Sequence, residues 1–341
     1  MQQNIPLTGT GTVPPLTITW STPAPITYDT PPCLLVQRVA RLRAVNDLDQ
    51  GFMTQCVSRH SFEQYVKGNQ TETAVPHITS QQIRDFPIYL PPLSEQRKIA
   101  EILRTWGVSI AETEALSKAK QALYDTASRR FFEPCHPSLA RHAGGWTKFV
   151  MGDLFSERVQ EGSENDPLLS ITMADGVIDR DGVGRKDSSS ADKSQYKLVL
   201  PGDIGYNTMR MWQGVSDLSS LRGIVSPAYT VLIPNQDRIY PRYAAHLFKS
   251  RRMIHDFERY SQGLTSDTWN LKYPVFAEIK AFLPPIDLQE RQANLLDAMV
   301  DEMSVINRQR DAFAAQKRGL MQRLLTGEWR VDGLRNEGRE K

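Results

Sequence analysis

A glycine-rich stretch in the middle of the chain carries side chains that could bind nucleic-acid bases. Arginine can form two hydrogen bonds with guanine, and an asparagine or glutamine amide can do the same with adenine. Turns around this stretch would let such side chains project from a rigid sheet. At each position a solvated surface group or a structural hydrogen bond is the competing interpretation. The candidates are Asn207, Arg210, Trp212, Gln213 and Arg222.

A polar loop just before this stretch is suited to contacts with phosphates. Lysine, arginine and serine side chains position a protein on a nucleic-acid backbone without reading its sequence. The charged candidates there are Arg185, Lys186 and Lys193. The formal net charge of the whole chain is only +2, so a nucleic-acid surface would have to collect its cations on one face.

Sequence motifs for catalysis or cofactor binding are absent. No asparagine, aspartate or serine precedes a Pro-Pro-aromatic sequence that would hold a flipped adenine, and no Gly-x-x-x-x-Gly-Lys-Ser/Thr loop would bind a triphosphate. The six histidines and three cysteines show no metal-ligand spacing. We therefore predict no catalytic residue, no metal site and no cofactor in this chain.

The composition is typical of a cytoplasmic globular protein. Of the 341 residues, 40% are hydrophobic and 23% are charged. Three cysteines without a pairing pattern favour a reducing compartment. No signal-peptide pattern and no apolar run long enough for a membrane span is present, so we expect a cytoplasmic protein without membrane contact.

An internal repeat organises the chain. Residues 90–96 (LPPLSEQ) are similar to residues 283–289 (LPPIDLQ), which lie 193 residues later. Pro-Pro cannot lie inside a helix, so Ser94 and Asp287 are the expected N-caps of two helices. Apolar residues then recur at alternating spacings of three and four, which is typical of a coiled-coil seam. Two unrelated amphipathic surface helices are the alternative.

The repeat predicts two long antiparallel helices packed along matched seams. Each would contain about 40 residues and extend about 60 Å, so the pair would form a rod between two domains. The residues expected at the seam or at an interface with partner proteins are Leu103, Trp106, Ile110, Leu296, Met299, Met303 and Ile306.

Between the two helices the pattern changes to short apolar runs broken by turns. Runs at 167–171, 176–178, 196–200 and 228–233 are typical of strands. One helix is expected over 241–260, with proline in its first turn. The predicted fold class is mixed α/β, with β-rich domains joined by two long coiled-coil helices in a pseudo-twofold repeat.

Two segments in the β-rich region, 202–214 (GDIGYNTMRMWQG) and 223–229 (GIVSPAY), resemble a target-recognition domain of type I restriction-modification specificity (S) subunits. Residues 90–97 and 317–327 resemble other parts of the same family, in the same order. The resemblance implies a non-catalytic subunit that directs its partners to a bipartite site on double-stranded DNA. It also implies methyltransferase (M) and restriction (R) partner subunits, which would carry S-adenosylmethionine, ATP and Mg²⁺.

The repeat and the resemblance together predict the domain organisation. Residues equivalent to 146–193 have no counterpart in the first repeat, so we expect a shortened first recognition domain with a strand near 33–42 and a degenerate or absent half-site. A compact, divergent first domain is the alternative. The expected parts are a first recognition domain at 1–89, a spacer helix at 90–132, a linker at 133–145, a second recognition domain at 146–282, a second spacer helix at 283–327 and a polar tail at 328–341.

Other functions are compatible with the sequence. A specificity module of another DNA-modification or phage-defence system would have the same domains and different partners. A coiled-coil scaffold whose β-rich domain binds protein would lack the steep salt dependence of phosphate binding. An undetected hydrolase would need a pocket with convergent titratable groups.

We expect the purified chain to show neither methyl transfer nor nuclease activity, because it lacks the motifs for both. Transfer of labelled methyl groups to DNA and cleavage of plasmid DNA are the two measurements. Activity that persists after every partner subunit has been removed would contradict the prediction.

Overall fold

A computed structural model gives the fold of two compact units, whose division falls inside both long helices. The first unit contains the residues up to Ser117 and from Val305 onward, and the second contains Lys118–Ser304. The structure describes residues 2–4, 40–69, 78–133, 145–163, 165–173, 175–180, 193–263 and 268–331.

The first unit is mainly helical. Its apolar core includes the fully buried Phe52, Ile99 and Leu103, together with Leu325 from the C-terminal part of the chain. Most of the strand expected at 33–42 lies outside the described residues, and 40–42 form no strand. The elements are β1 (Gln2–Asn4), α1 (Gln50–Val57), α2 (His60–Asn69), α3 (Ser80–Arg84), β2 (Pro87–Tyr89) and the first part of α4 (Leu93–Phe132).

The second unit is a mixed α/β domain, as the sequence predicts. The expected strands are present as β5, β6, β7 and β11 of the following set. The elements are β3 (Thr147–Val150), α5 (Met151–Leu154), β4 (Phe155–Glu157), β5 (Leu169–Thr172), β6 (Gly176–Asp179), β7 (Lys197–Val199), β8 (Ile204–Asn207), β9 (Ser216–Leu218), β10 (Gly223–Val225), β11 (Tyr229–Pro234), α6 (Pro241–Phe248), α7 (Arg251–Tyr260), α8 (Tyr273–Ala277), β12 (Lys280–Leu283) and the first part of α9 (Ile286–Leu324).

An antiparallel four-stranded sheet in the order β4-β11-β8-β9 forms the centre of this unit. Its neighbours among the described residues are the antiparallel pairs β10-β7, β12-β3 and β5-β6. A cluster of buried aromatic rings lies against the sheet, with Tyr206, Phe248 and Phe257 each within about 6 Å of Phe276 between ring centroids. This core holds β8 and β11 in place, and both strands contribute to the candidate site below.

The prediction of one helix over 241–260 is wrong, because the structure has two. Helix α6 ends at Phe248, and α7 begins at Arg251. Ser250 has an extended backbone and caps α7, since its Oγ accepts the backbone N–H of Met253 at 3.3 Å. A serine side chain competes with the helix backbone for hydrogen bonds, which favours a new helix start at this position.

The two long helices begin at Leu93 and Ile286, at the same 193-residue offset as the sequence repeat. The prediction that Ser94 and Asp287 are N-caps is wrong, because both lie in the first turn. The carbonyls of Pro92 and Pro285 accept the first helical N–H bonds instead. None of the helices in the described part of the chain is long and apolar enough to span a membrane.

The long helices pair within each unit, which confirms the predicted coiled-coil fold class. In the first unit Trp106 packs edge-on against Phe313 at 5.6 Å between ring centroids, and the Ser117 hydroxyl donates to Asn307 at 3.0 Å. From the first contact to the second, the residue number increases along α4 and decreases along α9, so the two helices are antiparallel. Among the residues expected at the seam, Leu103, Leu296 and Ile306 are buried, and Trp106, Ile110, Met299 and Met303 are half-buried.

In the second unit a histidine connects α6 to both long helices. Burial lowers the pKa of His246, so its ring is neutral near pH 7. A neutral ring satisfies both neighbours: Nε2–H donates to Asp297 of α9 at 2.9 Å, and Nδ1 accepts from the Tyr124 hydroxyl of α4 at 3.1 Å. The three helices are thereby held in a fixed orientation within this unit.

A buried glutamine lies near the start of each long helix and binds the same kinds of partners in both repeats. The Gln96 amide accepts the Asp49 N–H and donates to the carbonyls of Asp47 and Pro91, each at 2.8 Å. Because buried amide groups without partners are costly, each contact fixes the backbone that supplies it.

The equivalent residue of the second repeat is Gln289, 193 residues later. Its amide accepts the Tyr240 N–H at 2.9 Å and donates to the carbonyls of Arg238 and Pro284 at 3.1 and 2.9 Å. Each long helix is thus tied to the segment that precedes it and to the helical region of its own unit.

A buried ion pair fixes the turn before β8. The Asp203 carboxylate accepts two hydrogen bonds from the Arg158 guanidinium, at 2.7 and 2.9 Å, and a third from the Leu200 N–H at 2.8 Å. Asp203 is 3% exposed, and its hydrogen bonds raise the pKa of Arg158. Gly202 completes this turn with a φ of 93°, in the left-handed region that glycine tolerates.

We expect Leu103→Asp to destabilise the protein by at least about 3 kcal/mol. Removing a core leucine side chain alone costs about 2–5 kcal/mol, and the introduced carboxyl would be buried without a partner. Thermal unfolding with Leu116→Asp as control measures the effect, because Leu116 is 47% exposed on the same helix. Equal melting temperatures for the two variants would contradict the burial of Leu103 in the first unit.

We expect Asp203→Asn to lower the unfolding free energy by about 3 kcal/mol, because it leaves Arg158 without its buried partner. The matched control is Asp311→Asn, which breaks an ion pair whose carboxylate is 68% exposed. That control should cost less than about 1 kcal/mol. Denaturant unfolding of both variants is the measurement, and equal losses would refute a special role for the Asp203 turn.

Candidate nucleic-acid interface

An open cleft of about 670 Å³ in the second unit contains three of the five candidates from the glycine-rich stretch. One wall is β5, and the other is the end of β8 with the turn that follows it. No carboxylate is among its described lining residues. These are Ser170, Ile171, Thr172, Met173, Asn207, Arg210, Gln213, Val215 and Tyr229.

Backbone geometry places the three candidates on one short segment. Asn207 ends β8, and Arg210 precedes a single 3₁₀ turn, Met211–Gln213. The fully buried Met211 anchors this turn in the core, and Gly214 ends it with a φ of 80°. A Cβ at Gly214 would also lie 3.2 Å from Ile254, so glycine suits the position for two independent reasons.

The opposite wall approaches β8 closely at Gly205. A Cβ on Gly205 would collide with the end of the Ile171 side chain, so Ile171 would have to change its conformation to accommodate a larger residue. Leu169 and Ile171 of β5 are buried, and Ser170 and Thr172 alternate with them as half-buried residues. Period-two alternation in the sequence could have identified Ser170 and Thr172, although our sequence analysis did not select them.

Asn207 has a structural hydrogen bond in addition to its place in the cleft. Its Oδ1 accepts the Met209 N–H at 3.0 Å. Because an N–H donor needs an acceptor, this bond also fixes which side of the amide carries oxygen. The Nδ2 group is left to donate.

Trp212 supports the turn and does not line the cleft. Its indole N–H donates to the Met209 carbonyl at 3.0 Å, and its ring packs edge-on against Trp269 at 5.5 Å between centroids. No local pattern in the sequence marked Trp269, which lies 57 residues further along the chain. An indole has one donor, and here it is used within the protein.

Arg210 and Gln213 keep their polar groups available. Arg210 is exposed, Gln213 is half-buried, and neither side chain has a hydrogen-bond or ion-pair partner within the part of the chain that the structure describes. A guanidinium group offers five N–H donors, and a primary amide offers both donors and an acceptor. The cleft therefore presents hydrogen-bonding groups to an external ligand.

The other predicted contact residues are not among the described lining residues of the cleft. Arg222 is exposed and pairs with Asp166, with 3.1 Å between Nε and Oδ1. The pKa of Asp166 is lowered, first by the Ser163 N–H and then by Arg222. Lys193 is half-buried and does not line the cleft. Arg185 and Lys186 lie outside the described residues.

Metal-ligand chemistry has no candidate in the described residues. No group of three or more histidine, cysteine, aspartate or glutamate side chains there could hold a metal ion. What the cleft offers is hydrogen bonding from arginine and amide groups.

Comparison with known proteins identifies relatives of this chain. Residues 5–120 match the family described as the type I restriction modification DNA specificity domain. A type I restriction enzyme MjaVIII specificity subunit from Methanocaldococcus jannaschii is 23% identical over an alignment 305 residues long. The alignment covers 80% of this chain and 69% of that protein.

A solved structure shares the fold. The S subunit of a type I restriction-modification system from M. genitalium superposes with a TM-score of 0.56 at 13% identity, over 82% of this chain and 73% of that one. The family match covers the N-terminal part of the first unit and α4 as far as residue 120, whereas the other two similarities extend over most of the chain. Residues 5–120 thus match a type I DNA specificity domain, and the chain shares its fold with a type I S subunit.

Proposed function

We propose that this chain selects the DNA sequence on which a type I restriction-modification complex acts, and that the cleft beside β8 contacts that DNA directly. The observation that carries the proposal is an open cleft with two polar side chains, Arg210 and Gln213, that have no partner among the described residues. The described lining of this cleft contains no carboxylate. Arginine and glutamine are among the side chains that read base edges in the major groove.

The remaining candidates have supporting roles in this proposal. Asn207 and Trp212 hold the turn in shape through their bonds to Met209. Arg185, Lys186 and Lys193 contact phosphates, as does Arg222, which can still face the backbone while paired with Asp166. Phosphate contacts orient the protein and give affinity, and the base contacts give specificity.

The long helices supply the surface for methyltransferase subunits in the proposed complex. Leu103 and Leu296 are fully buried and therefore pack within the chain. Exposed apolar side chains are the better candidates for a partner surface, since burying them would be favourable. On α4 these are Val108, Leu116 and Leu123.

Catalysis belongs to the partners in this proposal. The methyltransferase subunits bind S-adenosylmethionine, and the restriction subunit uses ATP and Mg²⁺. The complex acts in the cytoplasm on a bipartite site. This chain contributes binding, orientation and the choice of sequence.

We expect the full chain, alone and with its methyltransferase subunits, to bind duplex DNA with a strong dependence on salt. Phosphate neutralisation releases counterions, so the logarithm of the binding constant should fall linearly with the logarithm of salt concentration. Fluorescence anisotropy with a labelled duplex at several NaCl concentrations is the measurement.

Arg210→Gln and Arg259→Gln form a matched pair for this experiment. Both remove one exposed arginine from the second unit, and Arg259 lies in the last turn of α7, outside the cleft. We expect weaker duplex binding for Arg210→Gln than for Arg259→Gln. Absence of duplex binding, or binding that salt does not affect, would instead favour a protein-binding scaffold.

A further inference from the structure

The hydrogen-bonding capacity left in the cleft restricts which bases it can read. We propose that Arg210 reads a guanine and Gln213 reads an adenine, while Asn207 reads no base. The DNA half-site at this cleft then contains at least these two purines at separate base pairs. The inference rests on the proposed function and adds the class of base to it.

Arg210 is suited to guanine because its whole guanidinium is available. Two parallel N–H donors match the O6 and N7 acceptors of guanine in the major groove. Two other arginines of this unit differ, since Arg158 is bound to Asp203 and Arg222 to Asp166. Arg210 has no such partner in the described part of the chain, so binding DNA does not require an existing ion pair to break.

Gln213 is suited to adenine, which presents one acceptor, N7, and one donor, the N6 amino group. A bidentate contact needs an amide whose oxygen and nitrogen both face the base. The Gln213 amide meets this requirement because neither atom has a partner in the described residues.

Asn207 has the same chemistry and does not meet the requirement. Its oxygen is directed to the Met209 N–H at 3.0 Å, inside the turn. Rotating the amide toward a base would break this bond and leave a backbone donor without its acceptor. Only the Nδ2 amino group remains for DNA, and a group that donates without accepting suits a phosphate oxygen.

Cytosine reading by this cleft is disfavoured for a related reason. The N4 amino group of cytosine is typically read by a glutamate or aspartate. The described lining of the cleft contains neither residue type. The positively charged Arg210 and the amide of Gln213 therefore determine the readout.

Selection of duplexes from a pool with a randomised window tests the inference with the full chain and its methyltransferase subunits. For the wild-type protein we expect a motif with a fixed guanine and a fixed adenine. Arg210→Gln should reduce the preference at the guanine position by about 5- to 150-fold and leave the adenine position intact. Gln213→Met is similar in size and lacks the amide group. It should reduce the preference at the adenine position and leave the guanine position intact.

Two further variants separate base reading from charge and from loop structure. Arg259→Gln removes the same charge outside the cleft and should leave the motif unchanged. Asn207→Asp keeps the acceptor for the Met209 N–H, loses the Nδ2 donor and adds a negative charge that repels phosphates, so we expect weaker binding to all sequences with the same motif. Unchanged thermal unfolding of each variant shows that the fold is retained.

The possible failures are distinguishable. If the wild-type protein selects a motif and Arg210→Gln or Gln213→Met selects the same motif, the inference is wrong and the proposed function stands. Loss of the adenine preference in Asn207→Asp would assign that base to Asn207, and this result would also overturn the inference. A wild-type complex that selects no motif overturns the proposed function, and the inference falls with it.

Discussion

Each repeat depends on a glutamine amide that is buried at the start of its long helix. Gln96 and Gln289 are 0% and 1% exposed, and each binds one backbone N–H and two backbone carbonyls. A hydrocarbon side chain in the same place would leave these groups without partners, which costs about 1–3 kcal/mol for each buried group. The amide therefore holds three backbone segments together: the start of the long helix, the Pro-Pro turn before it, and the segment that leads into the preceding helices.

The candidate site in the second unit is connected to the buried Gln289 amide through a series of contacts. Gln289 fixes the segment before α6, and α6 contributes Phe248 to the aromatic cluster beneath the sheet. His246 on the same helix binds both long helices through Tyr124 and Asp297. The sheet above carries β8, whose first residue follows the buried Asp203. Rigid support of this kind lets a short exposed turn present its side chains without large motion, which is what discrimination between bases requires.

Some arginine residues of this chain stabilise the fold, and others are available for binding. Arg330 pairs with the fully buried Glu95 in the first unit, and Arg158 pairs with Asp203 in the second. Those two guanidinium groups are bound within the fold, whereas the Arg210 guanidinium has no partner in the part of the chain that the structure describes. With a net charge of only +2, the chain has no large positive excess to bring it to DNA. The proposed recognition of DNA would then depend on a few side chains at a defined place, such as Arg210 and Gln213 in the cleft.

The sequence by itself determined the periodic features of this protein. The repeat, the two long helices, their antiparallel pairing and four of the strands follow from apolar spacing and from Pro-Pro turns, because these signals are local and recur along the chain. The limits of such signals are visible at helix starts. Ser94 and Asp287 have good capping chemistry, but the proline carbonyls cap the helices, and a serine at position 250 divides a helix that periodicity alone makes continuous.

Only the tertiary structure decided which polar side chains are available to a ligand. Asn207, Arg210, Trp212, Gln213 and Arg222 were equivalent candidates by residue type, and their partners separated them. Asp166 lies 56 residues from Arg222, and Trp269 lies 57 residues from Trp212. The glutamines of the two Pro-Pro motifs were visible in the repeat, but their role depends on carbonyls up to 51 residues away. Hydrogen bonds and ion pairs form between groups that folding brings together, so residue type and spacing cannot reveal which of these groups remain free.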